Sequence, residues 1–232
     1  MATRLLITGT DTGVGKTMVG CALAFALKVR GLRVGVMKPA ETGCIQDPDG
    51  LQPADALALR ASASSSHPLE VICPYRYPSP LAPAAAAGVD GLAPPEPQRI
   101  GRLFERIAAD SDLVLVEGAG GLAVPLTWNF NYADLAAALG LEIIVVVANR
   151  LGCLNSTVLS IDYATCRHLR VRGYILNDTE AVSSPAARSN AESLRHLTDV
   201  PALGFVRYKE PLALEIVTRL LDIVGYGASG NR

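Results

Sequence analysis

The stretch TGTDTGVGKT, residues 8–17, constrains the fold of this chain more than any other. It follows a short apolar run and opens a helix-like segment, so backbone N–H groups and a helix N-terminus can converge on phosphate oxygens. The common pattern G-x-x-x-x-G-K-[ST] requires a glycine at Thr10, whereas the available glycine, Gly9, comes one residue earlier. Lys16 can reach the β- and γ-phosphates, and the Thr17 hydroxyl can meet Mg²⁺. The sequence therefore predicts a phosphate-binding loop with one extra residue.

Apolar runs typical of buried strands alternate with helix-period segments along the chain. This alternation predicts a three-layer α/β fold of the P-loop NTPase type, with a mostly parallel sheet covered by helices on both faces. Ligands of such sheets lie at the carboxyl ends of the strands. The predicted strands are Leu5–Ile7, Val34–Met37, Leu113–Val116, Ile143–Ala148, Tyr174–Leu176 and Ala202–Val206. The predicted helices are Met18–Arg30, Arg99–Ala109, Tyr132–Leu139, Asn155–Leu169, Ala186–Leu197 and Leu212–Val224.

The length of 232 residues predicts one domain over residues 1–224, followed by a frayed tail over 225–232. Prolines are concentrated between residues 67 and 97, together with the run APAAAAG. A flexible linker is one interpretation of this segment. Apolar residues such as Val71 and Tyr75 favour the other, an ordered excursion over one edge of the same domain.

Charge and cysteine content narrow the partners and the compartment. A net charge of −1 provides no basic field, so neither nucleic acid nor a membrane surface is an expected partner. Five cysteines without a C-x-x-C pair indicate reduced thiols in a cytoplasmic protein. The N-terminus has no signal-peptide apolar core, and no later apolar run is long enough to span a membrane.

Polar residues follow two further predicted strands. Lys38 follows the second strand in VMKPAETG and can hold a developing anion, with a solvated surface lysine as the alternative. Thr42, in the same loop, could contact a substrate. Glu117 follows LVLV, where a carboxylate is costly unless it binds a metal or a donor, which favours a Mg²⁺ ligand. The glycines after it allow a close approach of the backbone to a ligand: Gly118, Gly120 and Gly121.

Three positions keep two interpretations. Asp55 opens a helix in PADALAL and, on its own, is best explained as an N-cap. Residues 152–156 precede a predicted helix and can form an N–H-rich anion site, in which Asn155 could also be the N-cap. Asn177 ends a strand beside Asp178; its amide can recognise adenine, or the pair can form a plain turn.

With these motifs assembled, the chain resembles the dethiobiotin synthetases, ATP-dependent ligases that close the ureido ring late in biotin synthesis. The resemblance rests on TGTDTGVGKT, KPAETG, DALAL, VEGAGG, LGCLN and ND, in this order over residues 8–178. The longer phosphate loop is itself a feature of that family.

The resemblance implies that 7,8-diaminopelargonic acid reacts with CO2 or bicarbonate and ATP to give dethiobiotin, ADP and phosphate. The carbamate of the substrate would attack the γ-phosphate, and the second amine would then close the ring. The resemblance also implies Mg²⁺ as cofactor, ATP as co-substrate and a homodimer with the substrate site at the subunit interface.

Site residues follow from the same resemblance. Lys16 and Lys38 are implied to be catalytic, and the implied Mg²⁺ ligands are Thr17, Asp55 and Glu117. The implied nucleotide-binding residues are Gly13, Val14, Gly15, Lys16, Thr17, Met18, Glu117, Gly118, Asn177 and Asp178. The implied substrate-binding residues are Thr12, Lys38, Thr42, Gly120, Gly152, Cys153, Leu154 and Asn155.

The chain departs from the family near the nucleotide base, where Arg207 in GFVRYKEP takes the place of a frequent proline. Two other classes of protein are alternatives, and each is expected to have a feature that differs from this sequence. A related P-loop amide-forming synthetase, such as the cobyrinate amidases, carries a glutaminase domain, for which 232 residues leave no room. A ParA/MinD-like ATPase switch is expected to have a lysine early in the loop, whereas residues 9–11 are Gly-Thr-Asp.

Overall fold

The computed structural model describes residues 2–181, 184–223 and 225–226. Its strands are β1 Thr3–Gly9, β2 Val34–Met37, β3 Ala40–Thr42, β4 Ile45–Asp47, β5 Gly50–Gln52, β6 Tyr75–Tyr77, β7 Leu113–Glu117, β8 Pro125–Thr127, β9 Phe130–Asn131, β10 Glu142–Ala148, β11 Val171–Asn177 and β12 Ala202–Val206. Its helices are α1 Lys16–Val29, α2 Ala54–Ala63, α3 Leu69–Ile72, α4 Pro83–Asp90, α5 Pro97–Ala109, α6 Tyr132–Leu139, α7 Cys153–Cys166, α8 Pro185–Leu197 and α9 Leu214–Ile223.

The central sheet has the strand order β12-β11-β10-β1-β7-β2. Each pair of neighbouring strands in it is parallel. A parallel sheet needs helical crossovers that cover its faces, which explains why its strands are apolar along their whole length. The predicted three-layer α/β fold is therefore confirmed.

Alternate residues of each strand pack on opposite faces of the sheet. Leu6 of β1 belongs to a core with Phe104 of α5, on one face. Leu5 and Ile7 belong to a second core with Leu23 of α1, on the other face. All of these side chains are fully buried. The two-residue period of the strands thus divides one sheet between two helical layers.

The predicted strands and helices are present, with ends shifted by a few residues. Helix α1 begins at Lys16 rather than Met18, and α7 begins at Cys153 rather than Asn155. Val224, the predicted last residue of the final helix, lies outside the described residues, as do residues 227–232 of the predicted tail. Within that tail, the Tyr226 hydroxyl donates to the Asp112 carbonyl at 2.9 Å.

The proline-rich segment 67–97 contains α3, β6 and α4 and leads directly into α5. Its apolar residues Val71, Tyr75 and Tyr77 are buried. Strand β6 pairs in parallel with β3, the short strand that follows Lys38. The segment therefore supports the loop after β2 from outside the central sheet.

The carboxyl ends of β1, β2 and β7 converge at one edge of the sheet. The N–H of Gly118 donates to the Ile7 carbonyl at 3.0 Å, and the N–H of Gly9 donates to the Gly120 carbonyl at 3.2 Å. These bonds join the turn after β7 to the start of the phosphate loop. Within the described ranges, no helix combines the length and the apolar character that a membrane crossing requires.

Candidate functional site

The phosphate loop connects β1 to α1 and is held in place by β11. Asn177, the last residue of β11, donates from Nδ2 to the Val14 carbonyl at 2.8 Å. Gly15 has a φ of 95°, and a Cβ at this position would lie 2.2 Å from the same Asn177 nitrogen. Only glycine fits this contact. Asn177, predicted to bind the nucleotide, thus contacts the backbone of the loop itself.

Lys16, at the start of α1, is a buried cation beside a neutral partner. Its Nζ donates to the Asp11 carbonyl at 2.9 Å. Burial, together with the nearby positive charge of Lys38, lowers the pKa of Lys16 to about 8. Near neutral pH the side chain is therefore a protonated ammonium that an incoming anion would stabilise.

Lys38, directly after β2, is a buried cation between two carboxylates. Its Nζ lies 2.5 Å from Oε1 of Glu117 and 2.8 Å from Oδ2 of Asp55. Burial alone would lower the pKa of Lys38, but the charges of Glu117 and Asp55 outweigh it and raise the pKa above its usual range. The alternative of a solvated surface lysine is wrong, because Lys38 is only 3% exposed.

Asp55 belongs to this charged cluster and is not the N-cap of its helix. The N-cap of α2 is Pro53, and Asp55 is the second residue of the helix. Burial would raise the pKa of Asp55, but the Lys38 ammonium outweighs it and holds that pKa below the usual range. Asp55 is therefore ionised at neutral pH.

The oxygens around Lys38 fit a magnesium ion. The Thr17 hydroxyl donates to Oε1 of Glu117 at 2.8 Å, and Oδ2 of Asp55 accepts from Lys38 Nζ at 2.8 Å. Oε2 of Glu117 is buried and has no hydrogen-bond partner among the described residues. An unpaired buried carboxylate oxygen is costly unless a ligand takes it. Carboxylate and hydroxyl oxygens are the donors that Mg²⁺ prefers, so this set fits the ion.

A cavity of about 380 Å³ joins the phosphate loop to the Lys38 cluster. The sequence-predicted residues that line it come from the phosphate loop, the start of α1, the β2–β3 segment, α2, and the end of β7 with the turn that follows it. They are Thr12, Gly13, Gly15, Lys16, Thr17, Lys38, Thr42, Asp55, Glu117 and Gly120. Gly118 lies at its edge, with its carbonyl 3.5 Å from Lys38 Nζ. The structure thus brings most of the predicted site residues into one place.

The start of α7 forms a second cavity, of about 330 Å³. Gly152 is the N-cap of α7 and Cys153 its first residue, and both line this cavity beside Arg150. Asn155 is exposed at the third position of the helix, so its interpretation as the N-cap is wrong. Leu154 packs against the core. Because the two cavities have no lining residue in common, the predicted substrate residues fall into two groups.

Comparison with known proteins identifies the family. A family model described as an AAA domain matches residues 3–215. The ATP-dependent dethiobiotin synthetase BioD of Anaeromyxobacter dehalogenans strain 2CP-1 is 44% identical over 214 residues, which cover 90% of this chain and 88% of that protein. The chain belongs to the dethiobiotin synthetase family. Another member, from Thermodesulfovibrio yellowstonii, is 38% identical over 87% of each chain.

Solved structures show the same fold at lower identity. The septum site-determining protein MinD of Pyrococcus horikoshii, complexed with Mg-ADP, superposes with a TM-score of 0.57 at 20% identity, covering 99% of this chain and 90% of that one. This likeness is one of fold alone, and it confirms the predicted α/β fold. At the level of sequence, the two dethiobiotin synthetases named above match this chain.

A third cavity, of about 580 Å³, lies at the ends of β11 and β12. It is lined by Asp178 and by Arg207, the residue at which the resemblance led us to expect a departure from the family. Asn149 donates to Oδ1 of Asp178 at 2.7 Å and thereby orients that carboxylate. Met18, the remaining predicted nucleotide residue, is 41% exposed in the first turn of α1.

Glu41 is the buried residue of the site that the sequence did not indicate. It lies in β3, is 6% exposed and lines the first cavity beside Lys38. Burial raises the pKa of Glu41, although two backbone N–H groups of α2 oppose this shift. The only signal in the sequence is an acidic residue inside KPAETG, directly before the predicted substrate residue Thr42.

Proposed function

We propose that this protein catalyses the ATP- and Mg²⁺-dependent synthesis of dethiobiotin from 7,8-diaminopelargonic acid and CO2. The names of its relatives state the ATP-dependent synthesis of dethiobiotin, and the metal and the two substrates are part of our proposal. The observation that carries the proposal is the single cavity in which Lys16 of the phosphate loop meets the Lys38–Asp55–Glu117 cluster. Two buried cations in one cavity suit a reaction between two anions.

The proposed reaction has three steps. One amine of the diamine adds to CO2 and loses a proton, which gives a carbamate. A carbamate oxygen attacks the γ-phosphorus of ATP, and the bond to the ADP oxygen breaks. The second amine attacks the carbonyl carbon of the mixed anhydride, loses a proton and expels phosphate, which closes the ureido ring.

None of these steps needs a nucleophile from the protein, so catalysis depends on positioning and on charge. The loop residues Gly13 to Met18 would hold the phosphates, with the Lys16 ammonium at the β- and γ-phosphates. Lys38 would face the carbamate and the charge that develops during transfer. The position of Lys38 in the same cavity as Lys16 supports this role, because both ammonium groups can then face the transferring phosphoryl group.

Thr17, Asp55 and Glu117 would hold Mg²⁺. When bound, the ion neutralises phosphate oxygens and polarises the transferring group. The unpartnered buried Oε2 of Glu117 supports this assignment.

The two groups of substrate residues support a shared site. Thr12, Thr42 and Gly120 would contact the head of the diamine in the first cavity, and Gly152 to Asn155 would bind the far carboxylate of a substrate held by a neighbouring subunit. A homodimer would also cover exposed apolar side chains. These are Trp128, Leu151 and Leu159, which are 76%, 85% and 58% exposed.

On the nucleotide side, Glu117 and Gly118 would lie near the phosphates, and Asn177 and Asp178 near the base. The compartment we propose is the cytoplasm. All five cysteines carry free thiols, as is usual where glutathione and thioredoxin keep thiols reduced. Neither nucleic acid nor a membrane surface is a proposed partner.

The purified protein tests this proposal directly. We expect ADP release to require both 7,8-diaminopelargonic acid and bicarbonate, with a ureido product that mass spectrometry detects. Omission of either compound is the control and should reduce ADP release to background. Mg²⁺-dependent ATP turnover that does not change with the diamine would overturn the ligase assignment.

A further inference from the structure

Helix α2 is capped by a side chain from a distant strand. Its own N-cap residue, Pro53, has no side-chain acceptor. The N–H groups of Asp55 and Ala56 donate instead to Oε1 and Oε2 of Glu41, each at 2.9 Å. The positive end of the helix dipole favours a carboxylate at this position, and the two donors compensate its burial. Glu41 of β3 thus provides hydrogen-bond acceptors for two free N–H groups in the first turn of α2.

One of the two N–H groups belongs to Asp55 itself. The carboxylate of Asp55 extends from the same turn to Lys38, 2.8 Å away, and Lys38 in turn contacts Glu117. Glu41 therefore fixes the backbone from which Asp55 reaches the reacting cavity. Both carboxylate oxygens of Glu41 accept these N–H groups, so its role is to hold the helix rather than to transfer a proton.

Glu41 also connects α2 to the other wall of the cavity. It occupies the centre of β3, whose last residue, Thr42, lines the cavity. Strand β3 is itself held by its parallel pairing with β6. A change at Glu41 would therefore release the turn that carries Asp55 from the strand that carries Thr42.

We propose that Glu41 is a positioning residue that sets the Asp55 carboxylate for the bound divalent cation. This inference rests on the proposed function, because it assumes that Asp55 is one of the metal ligands. Residues that orient metal ligands from outside the coordination shell typically change metal affinity about 10- to 100-fold when they are mutated.

The test is divalent-metal binding in the absence of turnover. Mn²⁺ is titrated into the full-length protein with a non-hydrolysable ATP analogue, and free Mn²⁺ is followed by electron paramagnetic resonance. Glu41→Gln places an amide NH₂ against a backbone N–H donor, so one of the two caps is lost. We expect the Kd for Mn²⁺ to rise roughly tenfold, while the affinity for the analogue in EDTA changes less than about twofold, because the phosphate loop is intact.

The matched control is Glu96→Gln. Glu96 occupies the N-cap position of α5, but its side chain does not cap that helix. The Glu96→Gln substitution removes the same charge from the start of another helix, and we expect it to leave the Kd for Mn²⁺ unchanged.

Two further variants separate positioning from folding. In the Asp55→Asn background, Glu41→Gln should weaken Mn²⁺ binding little further, because both changes act through the same carboxylate. Pro53→Ser provides α2 with a local cap at the N-cap position and should restore part of the affinity that Glu41→Gln loses. The restored variant also supplies a folded protein for the test if Glu41→Gln alone unfolds.

An unchanged Kd for Mn²⁺ in Glu41→Gln, or an equal change in Glu96→Gln, would overturn the positioning role even if the protein makes dethiobiotin. Conversely, a tenfold rise in a protein that does not respond to the diamine would retain the role of Glu41 and overturn the proposed function instead.

Discussion

The two buried lysines of this site stand in opposite electrostatic environments. Lys16 bonds to the Asp11 carbonyl, and its pKa falls to about 8. Lys38 lies between the Glu117 and Asp55 carboxylates, and its pKa rises. Both side chains line one cavity, and both are less than a tenth exposed.

The difference shows that burial alone does not determine what a lysine can do. The hydrogen bond of Lys16 is to a carbonyl, and the charges of Glu117, Asp55 and Asp11 offset its burial only in part, so an arriving anion would stabilise it further. The carboxylates of Glu117 and Asp55 compensate the burial of the Lys38 charge, so this charge contributes to the stability of the fold as well as to the site. We therefore expect Lys16 to matter for the nucleotide with little effect on stability, and Lys38 to matter for both stability and chemistry.

The largest expected effect is on folding, from Lys38→Met. The variant leaves the Glu117 carboxylate buried without its cation, which should lower the free energy of unfolding by about 3–5 kcal/mol. Urea unfolding measures the loss. In the double variant Lys38→Met/Glu117→Gln, most of the stability should return, because no unpaired buried charge remains.

Lys28→Met is the control for this prediction. Lys28 is an exposed lysine of α1, and its loss should change stability by about 0.5 kcal/mol or less. If Lys38→Met costs no more than Lys28→Met, the ion pairs of Lys38 do not contribute to the fold. In the folded fraction, we expect Lys38→Met to retain nucleotide binding while losing ring closure; equal loss of both would show that Lys38 serves the nucleotide.

The next effect concerns Lys16→Met, which removes the ammonium from the phosphate loop. Removal of one preorganised donor to a developing anion typically lowers the rate about 10²- to 10³-fold, and we expect kcat/KM for ATP to fall by this factor. The free energy of unfolding should change little, since Lys16 bonds to a carbonyl of an exposed loop. If Lys16→Met lowers the free energy of unfolding as much as Lys38→Met does, the proposed difference between the two lysines in their contribution to stability is wrong.

The smallest effect is a pH dependence that belongs to Lys16 alone. Phosphates bind its protonated form, and its pKa in the free protein is about 8. Nucleotide affinity should therefore be constant below pH 8 and fall by up to about tenfold per unit as the pH rises above it. Titration of nucleotide binding between pH 7 and pH 9.5 should show this fall in the wild type. In Lys16→Arg it should be absent, because arginine stays charged; a fall of equal size there would assign the titration to another group.

The sequence was sufficient to predict residues whose positions depend on a strand end. Lys38 and Glu117 each follow a continuous apolar run, and parallel strands bring their carboxyl ends together. The position of Lys16 was predicted from the phosphate-loop motif to which it belongs. For these residues, the local sequence pattern alone indicates where the fold places them.

Contacts between distant elements could not be predicted in this way. Glu41 caps a turn fourteen residues further along the chain, and no periodic pattern connects a strand to the helix that it caps. Asn177 contacts a loop 163 residues earlier, so its bond to the Val14 carbonyl depends on the strand order of the sheet. Both contacts exist only after β3 and β11 have been placed.

The N-cap residues of α2 and α7 also differ from those that the sequence indicates. Asp55 and Asn155 belong to residue types that favour the N-cap, yet the caps are Pro53 and Gly152. At the start of α2, a tertiary contact from Glu41 replaces the local side chain that propensity predicts.

The bond between Asn177 and the phosphate loop has a consequence for the order in which the chain can fold. The loop motif is complete once residue 17 has been synthesised, but the strand before it pairs with β7 and β10, and the loop backbone bonds to Gly120, Val146 and Asn177. A nascent chain of a hundred residues therefore contains the whole motif but not the two strands that flank β1 in the sheet. The first recognisable element of the sequence is thus among the last parts of the structure to reach its final form.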